Sequence, residues 1–310
     1  MVDENFDVAI IGAGPAGFSA GIYAGRSGVN SVVFDEGIGG GLAATAPIID
    51  NYPALPGISG VELMEKMKEH ADKYCKLHLS EPVSKIKKLD SGGFEVISEK
   101  ETYKASAIIL ATGSGHRHLN VPGEGRLAGA GVSYCATCDG FFFKGKDVIV
   151  VGGGNTAFSE ALFLKELGCS SVKVLHRRDE LRAEEAYIEN AKKAGVEILL
   201  NTVVLEVLGE QMVSGVKVKN VSTNEESVLD CGGVFIAVGV QPNNELAKML
   251  GCSLDDAGFV QVDERMCTGV KSVFAVGDLV GGVRQVVVAC SEGATAALKS
   301  LEALGRNYPY

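Results

Sequence analysis

Two cysteines three residues apart, Cys135 and Cys138 in "SYCATCDGFFF", with Asp139 directly after them, are the residues of this chain best suited to chemistry. A Cys-x-x-Cys on or near a helical turn brings its sulfurs close enough to form and exchange a disulfide. A carboxylate beside the pair can give and take the proton that dithiol chemistry moves. The same aspartate also suits a helix N-terminus, where an acidic side chain is favoured. A zinc site would need two more ligands, and no second Cys-x-x-Cys or paired histidine stands at suitable spacing. "HRH" at 116–118 is the nearest candidate and reads as an exposed loop. No metal is expected.

The elements that must position the pair include two glycine-rich turns. "FDVAII" is a short strand pattern followed at once by "GAGPAG" and an Ala-rich helix pattern. Gly12 permits the tight turn, Gly14 lets backbone amides approach a pyrophosphate at the helix N-terminus, and Gly17 lets the helix close on the strand. The next strand, "SVVFD", ends in Asp35, where a carboxylate accepts hydrogen bonds from ribose hydroxyls. The same order recurs in "DVIVVGGGNTAFSEALFLKELG", with Gly152, Gly154, Asn155 and Thr156 in the turn and Ala157 at the third glycine's place. There the following strand, "SVKVL", leads into "HRRDELR". After His176, the arginines Arg177, Arg178 and Arg182 stand where a 2′-phosphate would be held, so this turn should prefer NADPH to NADH.

The acid at the first site and the arginines at the second imply two different ligands. An adenine dinucleotide without a 2′-phosphate, FAD, suits the first. "SVFAVGDLVGG" supports this, being a strand that ends in Gly277 and Asp278, followed by Arg284 and Gln285 and an amphipathic helix pattern from Val286. A carboxylate there can bind a ribityl hydroxyl, and the helix would turn its positive end to the flavin. Residues 81–111 read as a strand meander returning to the first sheet, and Ala111, Thr112 and Gly113 form a turn near that dinucleotide.

Composition sets the outer limits. With 310 residues, 46% hydrophobic and 22% charged, the chain can bury substantial cores, and 40 glycines are more than an average protein carries. A net charge of −10 argues against nucleic acid as a partner. The N-terminus, with an acidic "VDEN" before the first strand, shows neither signal peptide nor membrane span, so a cytoplasmic address is expected. The other six cysteines are scattered singly and read mostly as buried small hydrophobes.

Connector-like stretches, "NVPGEG" at 120–125 and "VQPNN" at 240–244, bracket the second glycine turn. The expected architecture is α/β, with two doubly wound Rossmann-like dinucleotide-binding domains and the NADPH domain inserted into the FAD domain. Residues 1–117 and 245–310 would form the FAD domain, and 118–244 the NADPH domain with the cysteine pair.

"GAGPAG", "NYP", "ATG", "YCATCDG", "GGGNTA", "HRRDELRA", "VGVQPN" and "FAVGDL" through "RQVVVA" together resemble the low-molecular-weight thioredoxin reductases of bacteria and archaea, class II pyridine nucleotide-disulfide oxidoreductases. The likeness runs over essentially the whole chain. It implies a homodimeric, NADPH-dependent enzyme in which electrons pass from NADPH through FAD to the cysteine pair and on to thioredoxin, or a similar small redox protein. Because Cys135 and Cys138 fall in the inserted domain while the flavin belongs to the other, that domain is expected to rotate on the two connectors between a state that reduces the disulfide and one that lets NADPH reach the flavin. The likeness further implies that Cys138 faces the flavin, Cys135 attacks the thioredoxin disulfide and Asp139 is the acid/base. Ala16, Gly40, Gly41, Leu42 and Asn51 then join the FAD contacts. Two departures stand out: Gly41 occupies the place where the family often has Gln, and "NTA" follows the second turn where many relatives have an acid and a serine. Two other readings keep the same residues. One is a flavin-dependent dithiol oxidase, and the other a reductase fed by ferredoxin or a reduced deazaflavin.

The basic cluster yields a first test. Replacing Arg177 and Arg178 with Ala should raise KM for NADPH strongly and leave KM for NADH nearly unchanged, each lost charge-assisted contact costing about 1.5–3 kcal/mol. Steady-state kinetics with both nucleotides checks this.

Overall fold

In the computed structural model, which describes residues 5–46 and 48–306, the first apolar run is strand β1 (Asn5–Ile11). Val8 and Ile10 enter one apolar cluster and Ala9 and Ile11 another. Burial on both faces is why the strand reads as a continuous apolar run rather than an alternation. The turn at 12–14 leads into helix α1 (Pro15–Arg26), whose proline occupies the first turn, where its missing N–H loses no bond. Strand β2 (Ser31–Phe34), helix α2 (Gly60–Ala71) and strand β3 (Lys76–His78) follow. The expected meander is β4 (Val83–Lys88), β5 (Phe94–Ser98) and β6 (Thr102–Leu110), and short β7 (Ser114–His116) comes after it.

The middle of the chain begins with β8 (Val132–Ser133), α3 (Ala136–Asp139), β9 (Asp147–Val151), α4 (Asn155–Glu166), β10 (Ser171–Leu175), α5 (Glu185–Lys193) and β11 (Glu197–Leu199). An antiparallel group, β12 (Thr202–Leu208), β13 (Gly215–Asn220) and β14 (Glu226–Asp230), precedes β15 (Gly233–Ile236) and β16 (Val240–Pro242). The tail holds α6 (Glu245–Leu250), β17 (Val273–Ala275) and α7 (Val286–Ala303).

These elements form two units, one made of residues up to Gly115 with those from Gln241 onward, the other of His116–Val240. The first has a sheet ordered β3-β2-β1-β6-β5-β4, with β17 also along β6. Helix α1 packs along α7 there, and Ser19 Oγ donates to the Cys290 carbonyl at 2.7 Å. The second has a parallel sheet ordered β11-β10-β9-β15-β8 and a smaller sheet β12-β13-β14. The fold is therefore the expected pair of doubly wound α/β domains. The 120–125 stretch is folded into the second unit around a buried Glu124, and the chain passes from one unit to the other within β7 and again within β16, two strands that pair.

Strand register decides where the motifs emerge. Ile11 is level with Phe34 and Leu110, and Leu110 with Ala275. Gly12, Asp35, Ala111 and Val276 therefore leave the first sheet on one edge. In the second sheet Val151 is level with Leu175 and Ile236, and Phe235 with Ser133. Gly152, His176, Tyr134 and Cys135 leave that sheet on its carboxyl edge, the place where doubly wound sheets bind ligands.

Residues 1–4, most of the acidic N-terminus, lie outside the described residues, and among those described no helix is long and apolar enough to cross a membrane. Of the six single cysteines, Cys169, Cys231 and Cys252 are buried as expected, whereas Cys75, Cys267 and Cys290 are half-buried.

Close packing at the first turn gives a second test. A Cβ on Gly17 would lie 1.8 Å from the Gly12 carbonyl oxygen, while one on Gly14 meets nothing within 4 Å. Gly17→Ala should destabilise the protein by about 1–3 kcal/mol or more, and Gly14→Ala should stay within about 0.5 kcal/mol of the parent. Denaturant unfolding of both variants without added nucleotide measures the difference.

Candidate active site

At the edge of the first sheet, Gly12 has φ +110° and no room for a side chain, since a Cβ would lie 2.2 Å from the Ala111 carbonyl oxygen. Asp35 braces this turn, its Oδ2 accepting from Ala13 N–H at 2.7 Å and its Oδ1 from Gly37 N–H at 2.9 Å. Gly40 N–H donates to the Ala13 carbonyl, and a Cβ on Gly41 would come within 3.6 Å of Gly14 Cα, so 40–41 lies over the same turn. Ala16 sits where α1 meets Gly277 and Gly293. Leu42 is exposed.

Side chains from distant positions meet nearby. Asn51 Nδ2 donates to Gln285 Oε1 at 3.0 Å, which ties the "NYP" loop to the N-cap of α7, and Val286 packs on the small cluster around Ile49 and Met64. The "ATG" turn is held by Asn243, whose Nδ2 donates to the Thr112 carbonyl and whose N–H donates to that of Gly113. Thr112 Oγ1 returns a bond to the Asn243 carbonyl. Ser114 Oγ is 3.4 Å from Asp278 Oδ2, and Glu292 Oε2 accepts from Gly277 N–H at 2.7 Å. Burial pushes the Asp278 carboxyl above the usual carboxylate range, against the pull of Arg284 and the Ser114 bond. Burial, then the neighbouring Asp278 charge, also raises Glu292.

These residues fit a flavin dinucleotide. The space at Gly14 is open toward the helix N-terminus, and Asp278 is half-buried while its bond to Ser114 is a long one. A ligand's phosphate and hydroxyls match the two features.

In the second unit, Gly152 is packed against the Ala237 carbonyl and Ala157, and Gly154 is open. Asn155 and Glu184 are doubly bonded, Asn155 Nδ2 to Glu184 Oε1 and Glu184 N–H to Asn155 Oδ1, both at 2.8 Å. Thr156 is exposed. The amides of Arg182 and Ala183 donate to the Gly153 carbonyl, wrapping the basic segment back onto the turn. Arg177, Arg178 and Arg182 present exposed side chains. His176 is different, with its buried ring filling the space against Gly153 and its Nε2 lying 3.0 Å from the Glu180 carbonyl. Burial lowers its pKa first, and the three arginines lower it further. The imidazole shapes the turn, and the positive charge comes from the arginines.

Cys135 and Cys138 form a disulfide, with Cα atoms 5.3 Å apart. Cys135 is the N-cap of α3. Ser133 Oγ joins both ends of the motif, accepting from Cys135 N–H at 3.1 Å and donating to Asp139 Oδ2 at 2.6 Å. Burial raises the Asp139 carboxyl above its usual range despite that bond. A half-buried carboxyl of raised pKa beside a disulfide can carry a proton.

Sequence reasoning missed Asn243 and Glu292, because each acts through a backbone group brought near only by folding, and it missed Ser133, whose position two residues before Cys135 and six before Asp139 was the available signal. It also passed over Phe141 and Phe142, which are exposed directly after the motif while Phe143 is buried. A run of three aromatics with one core position was the available signal.

The protein-family model described as pyridine nucleotide-disulphide oxidoreductase matches residues 6–293. A thioredoxin reductase of Mycolicibacterium smegmatis is 43% identical over 296 residues, covering 94% of each chain. A bifunctional thioredoxin reductase/thioredoxin of Mycobacterium leprae is 40% identical over 94% of this chain and 64% of its own length. The crystal structure of thioredoxin reductase from Streptococcus pyogenes superposes with a TM-score of 0.92 at 37% identity, covering 98% of this chain and 99% of the other. The chain belongs to the pyridine nucleotide-disulphide oxidoreductase family, in its thioredoxin reductase group.

The carboxyl pair at α7 yields a third test. Burial raises the folded pKa of Glu292 above its unfolded value, so its contribution to stability is present at low pH and lost as pH rises through the folded pKa. Glu292→Gln keeps an acceptor for Gly277 N–H without ionising. The variant should melt above the parent at about pH 8, and the difference should shrink as pH falls into the ordinary carboxylate range.

Proposed function

We propose that this chain is an NADPH-dependent thioredoxin-disulfide reductase, with the first unit holding FAD and the second holding NADPH and the redox pair. The observation that carries the reading is the Cys135–Cys138 disulfide on the carboxyl edge of the sheet whose glycine turn is backed by three arginines. FAD, when bound, supplies the two-electron relay between nicotinamide and disulfide. Gly12, Gly14, Asp35, the 111–113 turn, Asp278 and the 284–286 segment hold it, and Gly152, Gly154 and the arginines hold NADPH.

Two electrons and two protons convert the disulfide to a pair of thiols. Cys135 Sγ, as thiolate, attacks the partner's disulfide, forming a mixed disulfide and releasing one partner sulfur. Cys138 Sγ then attacks Cys135 Sγ, which restores the Cys135–Cys138 bond and frees the reduced partner. Asp139, oriented by Ser133, holds the proton exchanged with Cys138. The fused thioredoxin of the Mycobacterium leprae relative supports thioredoxin as the partner. The exposed edge-to-face pair Phe141 and Phe142 offers an apolar contact beside the sulfurs.

The inserted unit turns on its two chain passages, supported by their pairing in the short β7-β16 ribbon. Assembly as a homodimer is supported by the exposed apolar side chains Ile38, Val61, Val283 and Val287 on the first unit. A cytoplasmic location is supported by the six free thiols, which suit a reducing compartment.

Cysteine variants separate the roles. Cys138→Ser should trap thioredoxin on Cys135 as a mixed disulfide stable to non-reducing electrophoresis, whereas Cys135→Ser should trap none. Trapping by the second variant alone would reverse the assignment, and trapping by neither would refute the thioredoxin reductase reading.

A further inference from the structure

The histidines of "HRH" belong to neither nucleotide site. His116 stacks on Tyr134, with ring centroids 4.7 Å apart and planes at 13°, and His118 meets the same ring edge-on at 5.3 Å and 83°. The Tyr134 hydroxyl lies 2.8 Å from His118 Nδ1 and donates to Glu124 Oε1 at 2.9 Å. Glu124, 3% exposed, also accepts from the amides of Leu119 and Asn120 at 3.0 and 2.7 Å. Burial works against its charge, yet the bonds from Tyr134, the two amides and His118 leave its pKa below the usual value. The carboxylate is thus a fixed, ionised acceptor. Tyr134 is held on its face, its edge and its hydroxyl.

The next residue is Cys135. Its amide is bonded to Ser133, and Ser133 is level with Phe235 in the sheet. The backbone that carries the first sulfur is therefore pinned by the strand and by the Tyr134 side chain together. Closing a bond between two thiols is favoured in proportion to how well the fold has already brought them together.

We propose that Tyr134, clamped by Glu124, His116 and His118, is a positioning residue for Cys135 that favours the closed disulfide by keeping the two sulfurs within bonding reach. Releasing the clamp spreads the positions open to Cys135 and shifts the couple toward the dithiol.

The inference rests on the redox role proposed above for the pair, and its test needs neither nucleotide nor partner protein. Purified full-length protein is equilibrated anaerobically with mixtures of reduced and oxidised dithiothreitol. The S–S bond of Cys135–Cys138 breaks, the ring disulfide of dithiothreitol forms, and two electrons and two protons pass to the cysteine sulfurs. Acid quenching, alkylation and mass measurement count the thiols.

Tyr134→Phe keeps the stacked ring and loses the hydroxyl contacts, and His118→Ala removes one clamp from an exposed position. Tyr134→Leu removes the whole arrangement. The equilibrium should move toward the dithiol by about threefold in the first two variants and about tenfold in the third, or about 14 and 30 mV. Equilibria within about twofold of the parent in Tyr134→Phe and His118→Ala overturn the positioning role, even if melting temperatures fall. These two decide the matter if Tyr134→Leu does not fold. A parent pair that does not exchange with dithiothreitol refutes the redox role as well, so the two failures are distinguishable.

Discussion

Parallel strand register is the constraint on which the rest of this structure depends. A parallel ladder fixes neighbouring strands residue by residue, and a slip of one would turn every side chain to the opposite face. With Ile11, Phe34, Leu110 and Ala275 level, four separate stretches of sequence deliver their next residues to one edge. The second sheet does the same with Val151, Leu175 and Ile236, and β8 joins them through Ser133. The cysteine pair shares an edge with a nucleotide turn because its strand is parallel to β9 and β15.

Once the motifs share an edge, backbone groups left over by the turns are bonded by side chains from elsewhere. Asp35 takes the Ala13 and Gly37 amides, Asn243 holds the 112–113 turn and Glu292 holds Gly277. Glu124 does so for 119 and 120. A buried amide without a partner is costly, so each such carboxylate or amide side chain rigidifies a loop that could not form a ladder.

Glu81 shows the same device behind the first site. Buried to 4% exposure, it accepts from Ser98 Oγ at 2.7 Å and Tyr103 OH at 2.8 Å, and it lies 3.3 Å from His78 Nδ1. Its own amide donates to the Asp35 carbonyl. Burial opposes its charge, and the hydroxyl bonds together with His78 and Lys100 restore it, leaving the pKa lowered. The carboxylate at Asp35 thus stands on a loop whose backbone is fixed from within the protein.

Local pattern was enough for much of this architecture. Apolar runs, glycine turns and the cysteine spacing fixed strand, turn and helix at both dinucleotide motifs, the meander, the final helix and the disulfide, because each depends on residues close in sequence. The acid after β2 and the arginines after β10 were legible for the same reason. Other features were decided by tertiary structure. His176 opens the basic segment in sequence, yet its ring is buried against Gly153, and burial first, then the three arginines, lower its pKa. The 120–125 stretch reads as a connector by its proline and glycine, yet Glu124 folds it into the second unit. "HRH" reads as an exposed loop, and Arg117 and His118 are exposed, but the sequence does not show that both histidine rings lie against Tyr134. In each case the sequence determined what a residue could do, and its partner lay on another element. Only the closing of the chain on itself supplied that partner, because hydrogen bonds and ring contacts act over a few ångströms and not along the sequence.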